Sequence, residues 1–327
     1  MFRALAIVLG IFLMATAASA QTCTFHVDQT TFPNDILGRA AYIDEDANIL
    51  YIYDFKTGTR TQPSFTNSPA FTDIGNPVWT PDGQGIVFPA VQSDHWKLFY
   101  WKVSASPSAA VELATGGSRN EDPHFLPNGK KLVWKRDFGI ATADVSPDGS
   151  GNPTLSNVVQ VFTGSSGTNE YSGPVYSPTG KYIYYWKGVG ADSQIARYET
   201  ITATNVLYPK TSGLSFYYPQ MTDLYDFFYT RWADTSERDT IYVYFGYSHM
   251  MLEWNAADCA ASKADAAPAD EDLFLYSRLV PNTGSPGSHF NLFLGRLSDG
   301  NSWSLPTANG STDDNMVGAN FTFVQSP

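Results

Sequence analysis

A short sequence element recurs along this chain at regular intervals, and it limits the folds open to the chain. The element joins a proline, an aromatic, a polar turn and an apolar run, as in NPVWTPDGQGIVFPA at 76–90, DPHFLPNGKKLVWKR at 122–136 and GPVYSPTGKYIYYWK at 173–187. A copy without the glycine turn follows at 218–231. The prolines are 46, 51 and 45 residues apart: Pro77, Pro123, Pro174 and Pro219. Periods of this length are typical of propellers, solenoids and arrays.

An alternating strand pattern repeats in phase with the first element, in six copies from ILYIYDF at 49–55 to NLFLGRL at 291–297. The apolar run that ends the first element, as in GIVFPA, forms the strand between the proline turn and this alternating strand, and a fourth run follows, as in NVVQVFT. Four short strands per unit, with turns between them and no helical periodicity, predict a propeller blade. We therefore predict an all-β fold: one domain over residues 21–327, forming a six-bladed β-propeller of four-stranded blades.

The two ends of the chain predict how the ring closes. The first unit begins with GRAAYI at 38–43 and lacks an innermost strand, whereas GANFTFV at 318–324 resembles an innermost strand with nothing after it. The C-terminal strand should therefore complete the first blade, beside the strand at 49–55 or its neighbour, and remove an open sheet edge. In the last unit, the innermost strand is expected near 258–262, followed by a polar insertion.

The turns VWTPDG, HFLPNG and VYSPTG resemble the repeat of TolB-type propellers, in which an aromatic-Ser-Pro-Asp-Gly turn precedes an apolar strand. The resemblance covers nearly the whole chain after residue 20. It implies the propeller fold, and it says little about activity. Related propeller repeats also build some secreted polysaccharide lyases, including the oligogalacturonate lyases.

Residues 1–20 have the pattern of a secretory signal peptide: Arg3, an apolar core and a small-residue ending, Ala18-Ser19-Ala20. We therefore expect a secreted protein, extracellular or periplasmic, and a monomer. In an oxidising compartment two cysteines can pair once, and Cys23 and Cys259 flank the first and last blades that closure brings together. A disulfide between them is predicted.

The formal net charge of −12 argues against nucleic acid or an anionic membrane as a partner. Within this acidic chain, four consecutive blades end the second strand with a cation. The aligned positions are Asp44, Ala90, Arg136, Lys187, Arg231 and Arg278. Converging cations would bind carboxylates of an acidic glycan. The alternative is that each pairs with an acid of a neighbouring loop: Asp137, Asp192, Asp234 or Glu237.

Three histidines are further candidates. His124 follows Pro123 in an innermost strand, where sister blades have valine or glutamine, so it is predicted as a general base, with a buried hydrogen-bonded histidine as the alternative. His95 and His289 lie in loops of the same predicted face, and their spacing carries no metal-ligand pattern. We expect no cofactor, although the acidic turns at 44–48 and 313–315 have the oxygen ligands of a structural calcium ion.

Two classes of function follow from these residues. In the first, a secreted propeller binds uronate-containing polysaccharide and cleaves it by β-elimination: the cations neutralise the carboxylate and His124 removes the acidified proton. In the second, a non-catalytic module recognises an extracellular protein or a neutral glycan through aromatic loops, such as the one carrying Trp232.

Overall fold

The structure is a computed structural model. It describes residues 27–29, 31–32, 36–66, 71–103, 108–113, 115–167, 169–189, 193–209, 212–222, 226–233, 238–245, 250–253, 263–269, 272–281, 288–305 and 316–322. Their strands form six sheets arranged as the blades of a β-propeller. In each blade four antiparallel strands run from the innermost, at the central channel, to the outermost. The predicted fold class is confirmed.

The strands of the first three blades follow the order of the chain, except that the inner strand of blade 1 comes from the C-terminal part of the chain. Blade 1 consists, from inner to outer strand, of Met316–Thr322, Arg39–Asp44, Ile49–Asp54 and Thr59–Thr61. Blade 2 has an interrupted inner strand, Asp73–Ile74 and Val78–Trp79, followed by Gly85–Gln92, His95–Lys102 and Val111–Glu112. Blade 3 consists of Asn120–Phe125, Lys131–Arg136, Gly139–Pro147 and Pro153–Phe162.

The last three blades repeat the same order, and the sixth has an additional strand. Blade 4 consists of Tyr171–Tyr176, Tyr182–Lys187, Gln194–Glu199 and Thr204–Leu207. Blade 5 consists of Leu214–Met221, Phe227–Ala233, Arg238–Phe245 and Met250–Glu253. Blade 6 consists of Lys263–Pro268, Leu273–Pro281, Ser288–Arg296 and Asn301–Ser304, with Val27–Gln29 outside them.

The ring closes as the sequence predicts. The C-terminal strand Met316–Thr322 pairs antiparallel with Arg39–Asp44, the neighbour of Ile49–Asp54. The prediction for blade 6 is wrong, because its inner strand is Lys263–Pro268, inside the stretch expected to be a polar insertion. That strand lacks the proline-aromatic pair, and its place in the ring is set by pairing with Leu273–Pro281.

The strand Val27–Gln29, which the sequence did not predict, pairs parallel with Asn301–Ser304 at the outer edge of blade 6. The predicted signal peptide, Cys23 and Cys259 lie outside the described residues, so the disulfide stays a prediction. Among the residues that the structure describes, no helix has the length and apolar character needed to cross a bilayer.

The core is divided among the junctions between blades. The described buried residues form six apolar clusters, and each joins two neighbouring blades. Trp134, for example, is fully buried against Val87 and Leu98 of blade 2. Aromatic side chains fill these junctions well, because sheets that splay outward from the channel leave room for large residues between them. Stability therefore depends on every blade having both neighbours.

Candidate functional site

Every inner strand is irregular at the same place, and these irregularities line the central channel. The pairing register of the inner strand shifts at Val317/Asn320, Glu121/His124, Ser172/Val175, Tyr217/Gln220 and Ala264/Ala267, and blade 2 interrupts its strand at Gly75–Pro77. The equivalent residue adopts positive φ in four blades: Asp122 (50°), Gly173 (53°), Tyr218 (52°) and Gly318 (63°). β-Bulges of this kind re-aim side chains beside functional sites.

The channel between these bulges is narrow. Residues from all six blades line a cavity of about 60 Å³. Its polar side chains are Asn76, Asp122, His124, Gln220 and Asn320. A cavity of this size has room for a few water molecules or a small ion.

His124 lies in the channel wall and is hydrogen-bonded across a blade junction. The backbone N–H of Tyr176, in blade 4, donates to Nδ1 of His124 at 3.2 Å. Desolvation by burial lowers the pKa of His124 to about 4, so the ring is neutral near pH 7. With Nδ1 accepting, the single proton of a neutral ring is on Nε2. This geometry favours the hydrogen-bonded alternative, and the role of general base stays a prediction.

Asn320 makes the same contact between blades 1 and 2. The backbone N–H of Trp79 donates to Oδ1 of Asn320 at 3.0 Å. Trp79 and Tyr176 occupy equivalent positions, each two residues after the repeat proline of its blade, Pro77 and Pro174. An acceptor at the position of His124 and Asn320 therefore joins neighbouring blades beside the channel.

Asp122 is a channel residue that sequence reasoning missed. Its Oδ2 accepts from the backbone N–H of Gly173 in the next blade at 3.0 Å. Burial, and secondarily the charge of Glu121, raise the pKa of Asp122, while Lys135 and the Gly173 bond oppose the rise. The sequence does carry a signal for Asp122, because it is the residue before a repeat proline. At the same position blades 2 and 4 have Asn76 and Gly173, and both residue types readily adopt left-handed backbone.

Lys135, next to Arg136, is a second missed residue. Its side chain is only 6% exposed, and Nζ forms ion pairs with Glu170 of blade 4 and, at 3.4 Å, with Glu121 of its own blade. Glu121 and Lys135 are cross-strand partners, which fixes this geometry. The junction between blades 3 and 4 therefore contains Asp122, His124 and a buried ion cluster.

The four predicted cations occupy equivalent positions in four consecutive blades. Each pairs with the residue just before the bulge: Arg136 with Asn120, Lys187 with Tyr171, Arg231 with Phe216, and Arg278 with Lys263. All four therefore lie at the face of the ring where the inner strands begin, which we call the start face. None of them lines the described channel.

Aromatic rings lie under three of these cations. Lys187 Nζ is 5.4 Å from the ring centroid of Tyr171, Arg231 lies 4.2 Å from that of Tyr242, and Arg278 lies 3.8 Å from that of Phe293. Arg278 is 8% exposed, so little of it reaches solvent. Cation–π contact orients the side chain without neutralising its charge.

Arg136 packs against a glycine turn. A Cβ at Gly116 would lie 2.9 Å from the guanidinium of Arg136, so a glycine at this position leaves room for the arginine side chain. Asp137, the expected partner, instead accepts from the backbone and hydroxyl of Ser118. Burial opposes these bonds, but together with the charge of Arg136 they lower the pKa of Asp137. Within the described residues, Arg136 and Lys187 make no ion pair; Asp192, Asp234 and Glu237 lie outside them.

The remaining predicted residues differ in exposure. His95 is exposed at the start of the third strand of blade 2, on the start face. His289 is 7% exposed, in the equivalent strand of blade 6. Trp232 belongs to the second strand of blade 5, and its backbone is paired with Ser215 and Asp239.

The described residues contain no group of three histidine, cysteine or acidic side chains able to hold a metal ion. In the acidic turn at 44–48, Oδ1 of Asp44 accepts from the backbone N–H of Ala47 at 3.2 Å, as in an ordinary polar turn. The turn at 313–315 lies outside the described residues.

The geometry defines a six-bladed β-propeller closed by its C-terminal strand, and the fold resembles that of TolB proteins. TolB from Acinetobacter baumannii aligns with a TM-score of 0.64 and 15% identity over 88% of this chain and 67% of that one. A putative TolB from Agrobacterium tumefaciens gives 0.55 and 12% over 83% and 89%. A chain of a nidogen/laminin complex gives 0.58 and 9% over 88% and 99%. At these identities the likeness concerns the fold alone.

No protein-family model matches the chain. The curated proteins give no significant match either.

Proposed function

We propose that this chain is an exported propeller that binds an acidic, uronate-containing glycan at the start face of blades 3 and 4. The observation that carries the proposal is the placement of Arg136 and Lys187. They occupy equivalent positions on adjacent blades, and within the described residues neither makes an ion pair. The predicted signal peptide at 1–20 supports export.

The chemistry of the two side chains fits a row of carboxylates. A guanidinium binds a carboxylate through two parallel hydrogen bonds, and an ammonium binds it as a point charge. Regular spacing from one blade to the next suits a repeating anionic polymer better than a single small anion. Since the chain carries a net charge of −12, a local positive strip would concentrate an acidic ligand at one place and leave the rest of the surface repulsive.

The proposal is limited to binding. β-Elimination requires a base with a free acceptor atom within reach of the sugar. The acceptor nitrogen of His124 is engaged by the backbone N–H of Tyr176, so it is not free to take a proton from a sugar. His95, exposed on the start face of blade 2, remains as a side chain that a bound glycan could contact.

The test is a binding assay with polyuronates and matched neutral glycans on Arg136→Ala, Lys187→Ala and the double variant. A charge-assisted contact contributes about 1.5–3 kcal/mol, so each single change should weaken polyuronate binding about tenfold or more. Lys102→Ala is the control: Lys102 is exposed and ends the third strand of blade 2, at the opposite face. It removes the same charge and should leave affinity nearly unchanged.

Two results would count against the proposal. Equal losses in the Lys102 and Arg136 variants would indicate general electrostatic attraction rather than a site. Wild-type binding of neutral glycans or of an extracellular protein, with none of polyuronate, would favour the recognition-module class. A rise in ultraviolet absorbance from unsaturated uronate during the assay would instead show that cleavage accompanies binding.

A further inference from the structure

The outer strand of blade 3 differs from the other outer strands. Pro153–Phe162 has ten residues, whereas the outer strands of blades 1, 2, 4 and 5 have between two and four. It lies at the edge of its sheet. An unpaired edge strand of this length is a template for another strand.

The sequence of this strand makes the edge uncharged as well as long. No charged residue occurs between Asp148 and Glu170. Val158 and Val159 are 36% and 55% exposed, on a stretch where most residues are exposed. Arg60 is part of the outer strand of blade 1 and Glu112 of that of blade 2, and charges are a usual protection of edges; the outer strand of blade 4, Thr204–Leu207, is uncharged too, but it has only four residues.

Blade 6 shows that an outer edge of this propeller accepts a further strand. There Val27–Gln29 adds in parallel to Asn301–Ser304, and Gln29 Nε2 donates to Oδ1 of Asn301 at 3.2 Å. The outer edge of blade 6 is therefore accessible to backbone pairing, whereas the pairing of Pro153–Phe162 within blade 3 has two register shifts, opposite Ile140/Ala141 and Thr142/Asp144.

We propose that Pro153–Phe162 pairs with the same strand of a second copy of this chain, antiparallel across a two-fold axis. A two-fold contact places each surface patch against itself, so the patch must be self-complementary. An uncharged, valine-bearing strand meets this condition, because no like charges face each other across the axis. On a chain with a net charge of −12, such a strip is where two copies meet with the least repulsion.

The same absence of charge argues for a second copy over a different protein. A strand selected for another partner would carry charges or pockets complementary to that partner. This proposal departs from the monomer expected from the sequence, and it is independent of the glycan site, which lies on the start face.

Sedimentation of the chain over a wide concentration range, at low salt, tests the proposal. We expect a monomer–dimer equilibrium that Val159→Lys weakens about tenfold or more, because the variant buries like charges against each other and loses an apolar contact. Ile201→Lys is the control: Ile201 is 81% exposed, in the turn before the outer strand of blade 4, and this change should leave the dimer intact. Thermal melts check that both variants fold.

Charge reversal separates self-pairing from other contacts. Val159→Lys and Val159→Glu should each be monomeric alone, and an equimolar mixture should recover the dimer, since opposite charges then face each other. A wild-type monomer at every concentration would overturn the proposal, and it would indicate that the bulge at Asn157, which has φ of 51°, protects the edge. A dimer unaffected by Val159→Lys would overturn it as well.

Discussion

Two junctions between blades use the same backbone geometry with different chemistry. Between blades 1 and 2, Asn320 accepts from the backbone of Trp79, and the contact contains no ionisable group. Between blades 3 and 4, His124 accepts from Tyr176 at the equivalent place, Asp122 accepts from Gly173, and Lys135 joins Glu121 and Glu170 close by. An amide is sufficient to join two blades there, so the titratable groups at the second junction add something beyond joining.

The difference predicts where the molecule responds to its environment. At the first junction, the bond between Asn320 and Trp79 should depend on whether the C-terminal strand is present, and it has no titratable group of its own. The second should depend on the protonation of buried groups, because charges there have been removed from water.

The largest effect is expected from removing the closing strand. Deleting residues 318–327 takes away most of Met316–Thr322, which opens the ring and leaves Arg39–Asp44 as an unpaired edge. Loss of cooperative unfolding, followed by thermal melting, is the expected result. Deleting only 323–327 is the control, because the paired strand then remains whole. If both truncations melt like the full chain, the strand does not close the ring.

The next effect is expected at Lys135. Lys135→Met leaves Glu121 and Glu170 near each other, each 17% exposed, without their shared cation. Breaking a buried ion pair from one side typically costs about 3 kcal/mol or more, and because Glu121 keeps its pair with Arg119, we expect a loss of about 3 kcal/mol, measurable by urea unfolding. Lys131→Met on the same strand breaks an exposed pair with Asp144, so it should cost far less than Lys135→Met. Similar losses in the two variants would contradict the distinction.

A smaller effect is expected at His124. His124→Ala leaves the N–H of Tyr176 without an acceptor, at a cost of about 1–3 kcal/mol. His124→Asn supplies the acceptor found at Asn320, so it should retain more stability. An alanine variant that keeps full stability and glycan binding but loses polyuronate cleavage would instead support the role of general base, because a base acts only in the transition state.

A dependence of stability on pH is expected from the same residue. Burial lowers the pKa of His124 from 6.5 to about 4, so between these values the unfolded chain binds more protons at this position than the folded chain. The contribution of His124 to stability is therefore complete above pH 6.5 and is lost as the pH falls towards 4. Urea unfolding of the wild type and of His124→Asn across this window should show a flatter profile in the variant. Parallel profiles would mean that His124 does not titrate this way.

The repeat prolines made the fold predictable, because each one marks the bulge of an inner strand. Strand order, closure and the alignment of Arg136 with Lys187 all follow from that period. The inner strand of blade 6 was misplaced because Lys263–Pro268 is small and polar where its sisters are aromatic. Val27–Gln29 has too few residues to carry a pattern of its own.

The site was less predictable than the fold. Asp122 precedes a repeat proline and so was counted as part of the repeat; only its backbone conformation and its bond to Gly173 distinguish it. Lys135 looks like an ordinary exposed lysine of a strand end, and its burial depends on Glu170, which comes from the next blade. Such contacts join residues far apart in the chain, which no local pattern records.

The two terminal strands also determine the order in which the molecule can be completed. Val27 pairs with Asn301, and Arg39 with Thr322, so the earliest strands to be synthesised find their partners among the last. At typical synthesis rates this interval is on the order of tens of seconds. During this interval the early strands lack their partners, so their edges are open on an incomplete chain. A chaperone that binds exposed strands would therefore be needed for the longest time by the strands at the beginning of this chain.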